Sequence, residues 1–129
     1  MSHNDRDFGQ TVLVGLDLTD VTATSNGDTI DLKDRGGVLF CLNAHGLNSG
    51  TFTFHLEDSP DNSTFTDVVA GYVSGSANSV AFADTADNSV GQIAYLGLQR
   101  YVRCVCVAAS PVGTNNLSAM AVVQENYAS

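Results

Sequence analysis

The sequence of 129 residues has no tryptophan, two prolines, and only five lysine and arginine residues against fourteen acidic ones. The formal net charge of −9 repels a phosphate backbone and so argues against nucleic acid as a partner. With no tryptophan and only four tyrosines, few aromatic platforms remain of the kind that carbohydrate-binding β-sandwiches expose. The two prolines and twelve glycines are too scattered to indicate a low-complexity segment or a linker.

Long apolar runs are also missing, since none approaches the roughly 20 residues that a membrane-spanning helix needs. Residues 1–7 are polar and mixed in charge, unlike a secretory signal. We therefore expect a soluble protein that is made in a cytoplasm and has no membrane partner. The length allows one hydrophobic core, which predicts a single domain at residues 10–129 behind a flexible N-terminal arm at residues 1–9.

The hydrophobic residues that are present recur with the period of β-strands, and no window keeps helical spacing over three turns. Residues 97–108 form the longest run and carry apolar side chains on both faces, as is typical of a central strand. Residues 51–57 alternate between an apolar and a polar face. Such runs predict an all-β fold, an antiparallel β-sandwich or jelly-roll-like barrel of about 8–10 short strands.

Two local signals add detail to this prediction. The pair Asn26-Gly27, between two weak strands, is typical of a two-residue β-hairpin turn. Any helix is expected to be a single short turn, for which residues 92–96 are the best candidate.

The three cysteines, Cys41, Cys104 and Cys106, are an odd number without an export signal, which favours free and buried thiols. On a regular strand Cys104 and Cys106 share one face, with Cα atoms roughly 6.5–7 Å apart, a poor geometry for a disulfide. A metal site would have to add Cys41 and either His45 or His55. Because Cys-x-Cys on one strand lacks the turn that usually wraps zinc, we expect no metal and no cofactor.

Catalytic signatures are missing as well. There is no Gly-x-Ser-x-Gly elbow, and Gly36-Gly37 is not followed by the lysine of a phosphate-binding loop. His45 and His55 are candidates for the base of an acyl-transfer triad, but a histidine on the polar face of a strand is usually a solvated group. We therefore predict no catalytic residue and no enzymatic activity.

The acidic segment at residues 57–61, Glu-Asp-Ser-Pro-Asp, has three interpretations. A calcium loop or one side of a glycosidase carboxylate pair would use its carboxylates directly. The segment lacks the ligand spacing of an EF-hand calcium loop. A glycosidase would need a second carboxylate across a groove, and the sequence places none there. The remaining interpretation is a solvated turn whose aspartates accept hydrogen bonds from nearby backbone.

Arg100 and Arg103 lie on opposite faces of a regular strand because their separation is odd. At least one is therefore expected to be buried or at an interface, where it needs a carboxylate partner. Two interpretations of these arginines remain open, an internal ion pair and an anchor at a protein interface.

Two stretches are informative together, residues 54–65, FHLEDSPDNSTF, and residues 95–103, YLGLQRYVR. The first resembles a strand and turn of small virion proteins of tailed bacteriophages, and the second resembles a later strand of the same proteins. Their order and separation also match, although Asp58 is an insertion relative to the commonest spacing. The resemblance covers roughly residues 39–123 and leaves the N-terminal third without support.

This resemblance implies a capsid decoration, or cement, protein on the virion surface. Its partner would be the major capsid protein, and it would bind the outside of the head as a homotrimer. The implied interface residues are Phe8 in the arm and Arg100 or Arg103, whichever is exposed. The alternatives are a phage tail, fibre or head-to-tail connector component, or a carbohydrate-binding β-sandwich module.

Overall fold

A computed structural model describes residues 10–18, 23–33, 35–74, 77–83 and 89–125. Within these ranges, strands dominate, and the only helical element is a 3-10 turn at Ala70–Tyr72. The strands are β1 Gln10–Leu18, β2 Ser25–Asn26, β3 Ile30–Asp31, β4 Arg35–Ala44, β5 Ser49–Ser59, β6 Thr66–Asp67, β7 Val80–Ala83, β8 Ser89–Tyr95, β9 Tyr101–Val112 and β10 Leu117–Glu125.

The strands form two antiparallel sheets that pack against each other, which confirms the all-β prediction. One sheet has four strands in the order β1-β10-β4-β8. The other has six strands in the order β2-β9-β5-β6, with β3 also paired to β9 and β7 also paired to β5. The predicted central strand is confirmed, because β9 pairs with β5 on one side and with β2 and β3 on the other.

The core lies between the sheets and follows the period-2 alternation of the strands. On β5, Phe52, Phe54 and Leu56 are fully buried, as the alternation of residues 51–57 predicts. Phe54 meets Phe82 of β7 edge to face, with ring centroids 5.9 Å apart. Phe40 of the four-stranded sheet is also fully buried in the same cluster.

A polar contact also joins the two sheets. The hydroxyl of the buried Tyr95, on β8, donates to Asp58 Oδ2 on β5 at 2.8 Å. The same hydroxyl accepts a hydrogen bond from the backbone N–H of Gln99 at 3.0 Å. Tyr95 therefore has a partner for its polar end within the sandwich, as buried tyrosines usually do.

The predicted hairpin at Asn26-Gly27 is wrong, because β2 and β3 each pair with β9 and not with one another. The Gly27 N–H donates to the Cys104 carbonyl at 2.7 Å, and the Asp28 N–H donates to the Gly15 carbonyl at 2.7 Å. Glycine is needed at this position because its backbone lies close to two other strands, and not because it forms a tight turn.

The candidate helical turn at residues 92–96 is also wrong, since most of it belongs to β8. Ile93 pairs with Phe40 of β4 and is buried. The segment is therefore a strand, with alternate side chains pointing into the core. In the part of the chain that the structure describes, no helix is long and apolar enough to cross a membrane. The predicted arm at residues 1–9, with Phe8, lies outside the described residues, and the domain limits stay a prediction.

Candidate functional site

The outward side of the four-stranded sheet carries a surface without charge, which we call the uncharged face. It consists of the outward side chains of β4, β8 and β10, which the strand register places in neighbouring rows. Its members are Leu39, Cys41, Asn43, Val90, Gln92, Ala94, Ser118, Met120, Val122 and Gln124.

The middle of the uncharged face is apolar. Ala94, Leu39 and Val122 form one cross-strand row and line a shallow groove that continues to Leu96. The larger side chains are incompletely covered, with Val90 78% and Met120 43% exposed. Exposed apolar side chains grouped on one sheet face make it a candidate surface for contact with another molecule.

Among the side chains that the structure describes, the charge nearest to this face lies at its rim. Asp17 of β1 is paired in register with Ser118 and is exposed. The face was not predicted from the sequence, because its three strands are far apart along the chain. The sequence signal for it is that residues 36–44, 88–99 and 104–124 contain no charged residue.

The opposite side of the sandwich carries a charged group of residues on the six-stranded sheet. Arg103 on β9 is paired in register with Glu57 on β5, and its Nε and Nη2 donate to Glu57 Oε1 at 2.9 and 2.7 Å. The guanidinium lies 4.1 Å from the ring centre of Phe65. Burial raises the pKa of Glu57, but the hydrogen bonds from Arg103 and His55 outweigh burial and lower the pKa overall.

His55 extends this group toward a third strand. Its Nε2 lies 3.5 Å from Glu57 Oε2 and 3.3 Å from Asp67 Oδ1 on β6. His55 is only 18% exposed, so the prediction of a solvated surface histidine is not confirmed. His45, by contrast, is exposed in the segment between β4 and β5.

Arg100 lies just before β9 and forms a two-bond ion pair with Asp31 of β3. Its Nε and Nη2 donate to the two carboxylate oxygens of Asp31, both at 2.8 Å. The hydrogen bond from Arg100, with a second from the Lys33 backbone N–H, holds the pKa of Asp31 well below its usual range. The internal ion pair that was one of the two interpretations is found for Arg103, which is 23% exposed, whereas the 44% exposed Arg100 pairs with Asp31 at the surface. The role of either arginine as an interface anchor stays a prediction.

The acidic segment at residues 57–61 runs from the end of β5 into a turn, because β5 ends at Ser59. Asp61 Oδ1 accepts hydrogen bonds from the Ser59 hydroxyl at 2.8 Å and from the backbone N–H groups of Ser63 and Thr64 at 2.9 and 3.0 Å. These donors lower the pKa of Asp61. The predicted solvated turn therefore fits Asp61, whereas Glu57 and Asp58 are partly buried on β5 and bond Arg103 and Tyr95.

The three cysteines do not come together. Cys104 and Cys106 are buried in the core, while Cys41 lies on the uncharged face and is exposed, so the prediction that all three are buried is wrong for Cys41. Its strand alternates, and Phe40 and Leu42 take the inward positions. Among the described residues, the one group with the spacing of metal ligands is His55, Glu57 and Asp67, without any cysteine.

The buried thiols predict a loss of stability at alkaline pH. Burial raises the pKa of Cys106 to about 11 from 9.0 and raises the pKa of Cys104 further. Above pH 9 the unfolded chain loses these protons while the folded chain keeps them, so the free energy of unfolding falls as pH rises. Each thiol contributes up to about 1.4 kcal/mol per pH unit in that window.

Urea unfolding between pH 8 and pH 11 checks this expectation. Cys106→Ala should flatten the fall in stability above pH 9, whereas Cys41→Ser, at the exposed thiol, should leave it unchanged. A fall of the same steepness in Cys106→Ala would show that the buried thiol does not cause it.

A scan against protein-family models and a search of curated proteins found no match.

Proposed function

We propose that this protein is a virion structural protein, a capsid decoration protein that binds the outer surface of a tailed-phage head. The observation that carries the proposal is the uncharged face, a partly exposed apolar sheet surface on a chain of net charge −9. The resemblance of residues 54–65 and 95–103 to small virion proteins supports the same proposal.

The uncharged face is the docking surface for the major capsid protein. It lies on one side of the sandwich, whereas a closed trimer needs two different patches that contact each other around the ring. We assign this face to the capsid contact and the contacts within a trimer to other surfaces, since exposed apolar side chains such as Val69, Leu98 and Val112 also lie outside the face. The acidic remainder of the surface then faces solvent.

Decoration stabilises the head by mass action. A protein that binds the assembled shell, and not its separated subunits, lowers the free energy of the assembled state by its own binding free energy. Side chains in the middle of the face, such as Leu39, Met120 and Val122, are expected to contribute most of the affinity, because central apolar groups lose the most water on docking.

Co-sedimentation with expanded heads that lack the protein tests the proposal. The wild-type chain should bind, and Met120→Asp should weaken binding at least about 10-fold, because the contact would bury an unpaired charge. Ala81→Asp is the matched control. It adds the same charge at an exposed position on the opposite sheet and should bind like the wild type.

Two results would overturn the proposal in different ways. Equal binding by Met120→Asp and the wild type would remove the uncharged face as the docking surface. No binding of the wild-type chain to heads would remove decoration itself.

The oligomeric state in solution separates decoration from its alternatives. Light scattering that gives a trimer supports decoration, a hexamer or larger ring supports a connector, and a monomer that binds glycans supports a recognition module.

A further inference from the structure

We infer that His55, Glu57 and Asp67 form a binding site for a divalent transition-metal ion of the zinc type. Each residue offers one ligand atom, and the three atoms lie within 4.8 Å of one another. The site is on the outward side of the six-stranded sheet, so this inference is independent of the uncharged face and of decoration.

Paired strands hold the three ligands in place. His55 and Glu57 are two residues apart on β5 and therefore point to the same side of the sheet. Asp67 of β6 is the register partner of Glu57, so it lies directly across the strand pair. Backbone hydrogen bonds between strands position all three groups, and no loop contributes a ligand.

Two of the three distances in this group match a shared tetrahedral cation, and both are long for hydrogen bonds. His55 Nε2 is 3.5 Å from Glu57 Oε2 and 3.3 Å from Asp67 Oδ1, both longer than charge-assisted hydrogen bonds of about 2.7–2.9 Å. A tetrahedral ion with bonds of about 2.0–2.2 Å separates neighbouring ligand atoms by about 3.3–3.6 Å. An imidazole nitrogen carries at most one proton and cannot satisfy two carboxylates, whereas a metal ion contacts all three groups.

Arg103 acts as a positioning residue for this site. Both of its donated hydrogen bonds go to Glu57 Oε1, which leaves Oε2 facing His55. Phe65 covers the guanidinium and restricts it. Outer partners of this kind fix the orientation of metal ligands in known sites.

The exposure of the ligands indicates how an ion would enter. His55 and Glu57 are 18% and 19% exposed, while Asp67 is 76% exposed. An ion would approach from the side of Asp67 and keep a position for water, as three-ligand zinc sites do. One imidazole with two carboxylates suits zinc and its neighbours, whereas calcium and magnesium prefer a shell of oxygen ligands only.

Calorimetric titration of Zn²⁺ into the full-length chain, stripped with a chelator, tests the inference. We expect one ion per chain and a rise in melting temperature when Zn²⁺ is in excess. Asp67→Asn changes an exposed group without changing its shape, so the chain should fold normally. This variant and His55→Ala should each lose at least about 10–100-fold in Zn²⁺ affinity.

Two matched controls each remove one of the other possible ligands. His45→Ala deletes an exposed histidine, and Cys41→Ser deletes the exposed thiol, and both should bind Zn²⁺ like the wild type. The inference is overturned if Cys41→Ser loses the binding, if Asp67→Asn and His55→Ala both keep it, or if the wild-type chain binds no Zn²⁺. Equal affinity for Ca²⁺ would overturn the assignment to a transition metal.

Discussion

Asn115→Asp is expected to lower the free energy of unfolding by about 3 kcal/mol or more at neutral pH. Asn115 is fully buried, and its Oδ1 accepts from the backbone N–H groups of Asn48 and Ser49 at 2.7 and 3.2 Å. Its Nδ2 donates to the carbonyls of Val112 and Gly113, both at 3.3 Å. Aspartate keeps the acceptor but replaces the donor with a second oxygen that faces two carbonyls.

The charge that this substitution buries gives the prediction a pH dependence. Protonation of the new carboxyl restores one donor and removes the charge, so the loss of stability should shrink as the pH is lowered. Urea unfolding at several pH values measures both effects. Asn26→Asp adds the same charge at an exposed position of β2 and should stay within about 0.5 kcal/mol of the wild type. If Asn115→Asp and Asn26→Asp have the same free energy of unfolding, the hydrogen bonds of the buried Asn115 amide do not stabilise the fold as their geometry implies.

Gly27→Ala is expected to lower the free energy of unfolding by about 3 kcal/mol. A Cβ at this position would lie 2.5 Å from the Gly15 carbonyl oxygen and 2.6 Å from the Cys104 carbonyl oxygen. Both atoms belong to backbone held in strands, so neither can move without disturbing its sheet. The shift would also strain the hydrogen bonds from Gly27 to Cys104 and from Asp28 to Gly15.

Gly71→Ala is the matched control for this substitution. Gly71 lies in the 3-10 turn at Ala70–Tyr72, and an added Cβ there meets no atom within 4 Å. Chemical unfolding should therefore show a stability equal to the wild type or slightly higher, since alanine restricts the unfolded chain. If Gly27→Ala were as stable as Gly71→Ala, the backbone of Gly15 and Cys104 would be able to move apart and make room for the added Cβ.

Neither substitution site stands out in the sequence. Asn115 lies in a polar loop that resembles any surface turn, and its burial depends on the segment at residues 48–49, far away along the chain. Gly27 follows an asparagine and predicts a hairpin, yet it is needed because Gly15 and Cys104 approach it. At Gly27 the local signal was correct about a special backbone position and wrong about its reason, whereas Asn115 gave no local signal.

In the candidate sites too, the sequence predicts a local requirement and the strand pairing supplies the partner. That at least one of Arg100 and Arg103 needs a carboxylate follows from their spacing on a strand. The partner of Arg103, Glu57, is 46 residues away and is chosen by the pairing of β5 with β9. The group of His55, Glu57 and Asp67 forms because β6 returns to pair with β5. The uncharged face likewise depends on β4, β8 and β10 being neighbours.

The sequence by itself determined the class of fold, the two faces of residues 51–57, the central position of β9 and the burial of Cys104 and Cys106. These follow from an alternation that each strand carries within its own residues. The tertiary structure alone decided that Cys41 is exposed, which carboxylates bind Arg100 and Arg103, and which side chains share a surface. The reason is that strand order and register join residues from distant parts of the chain, and the packing of the whole sandwich selects among the pairings that each strand allows.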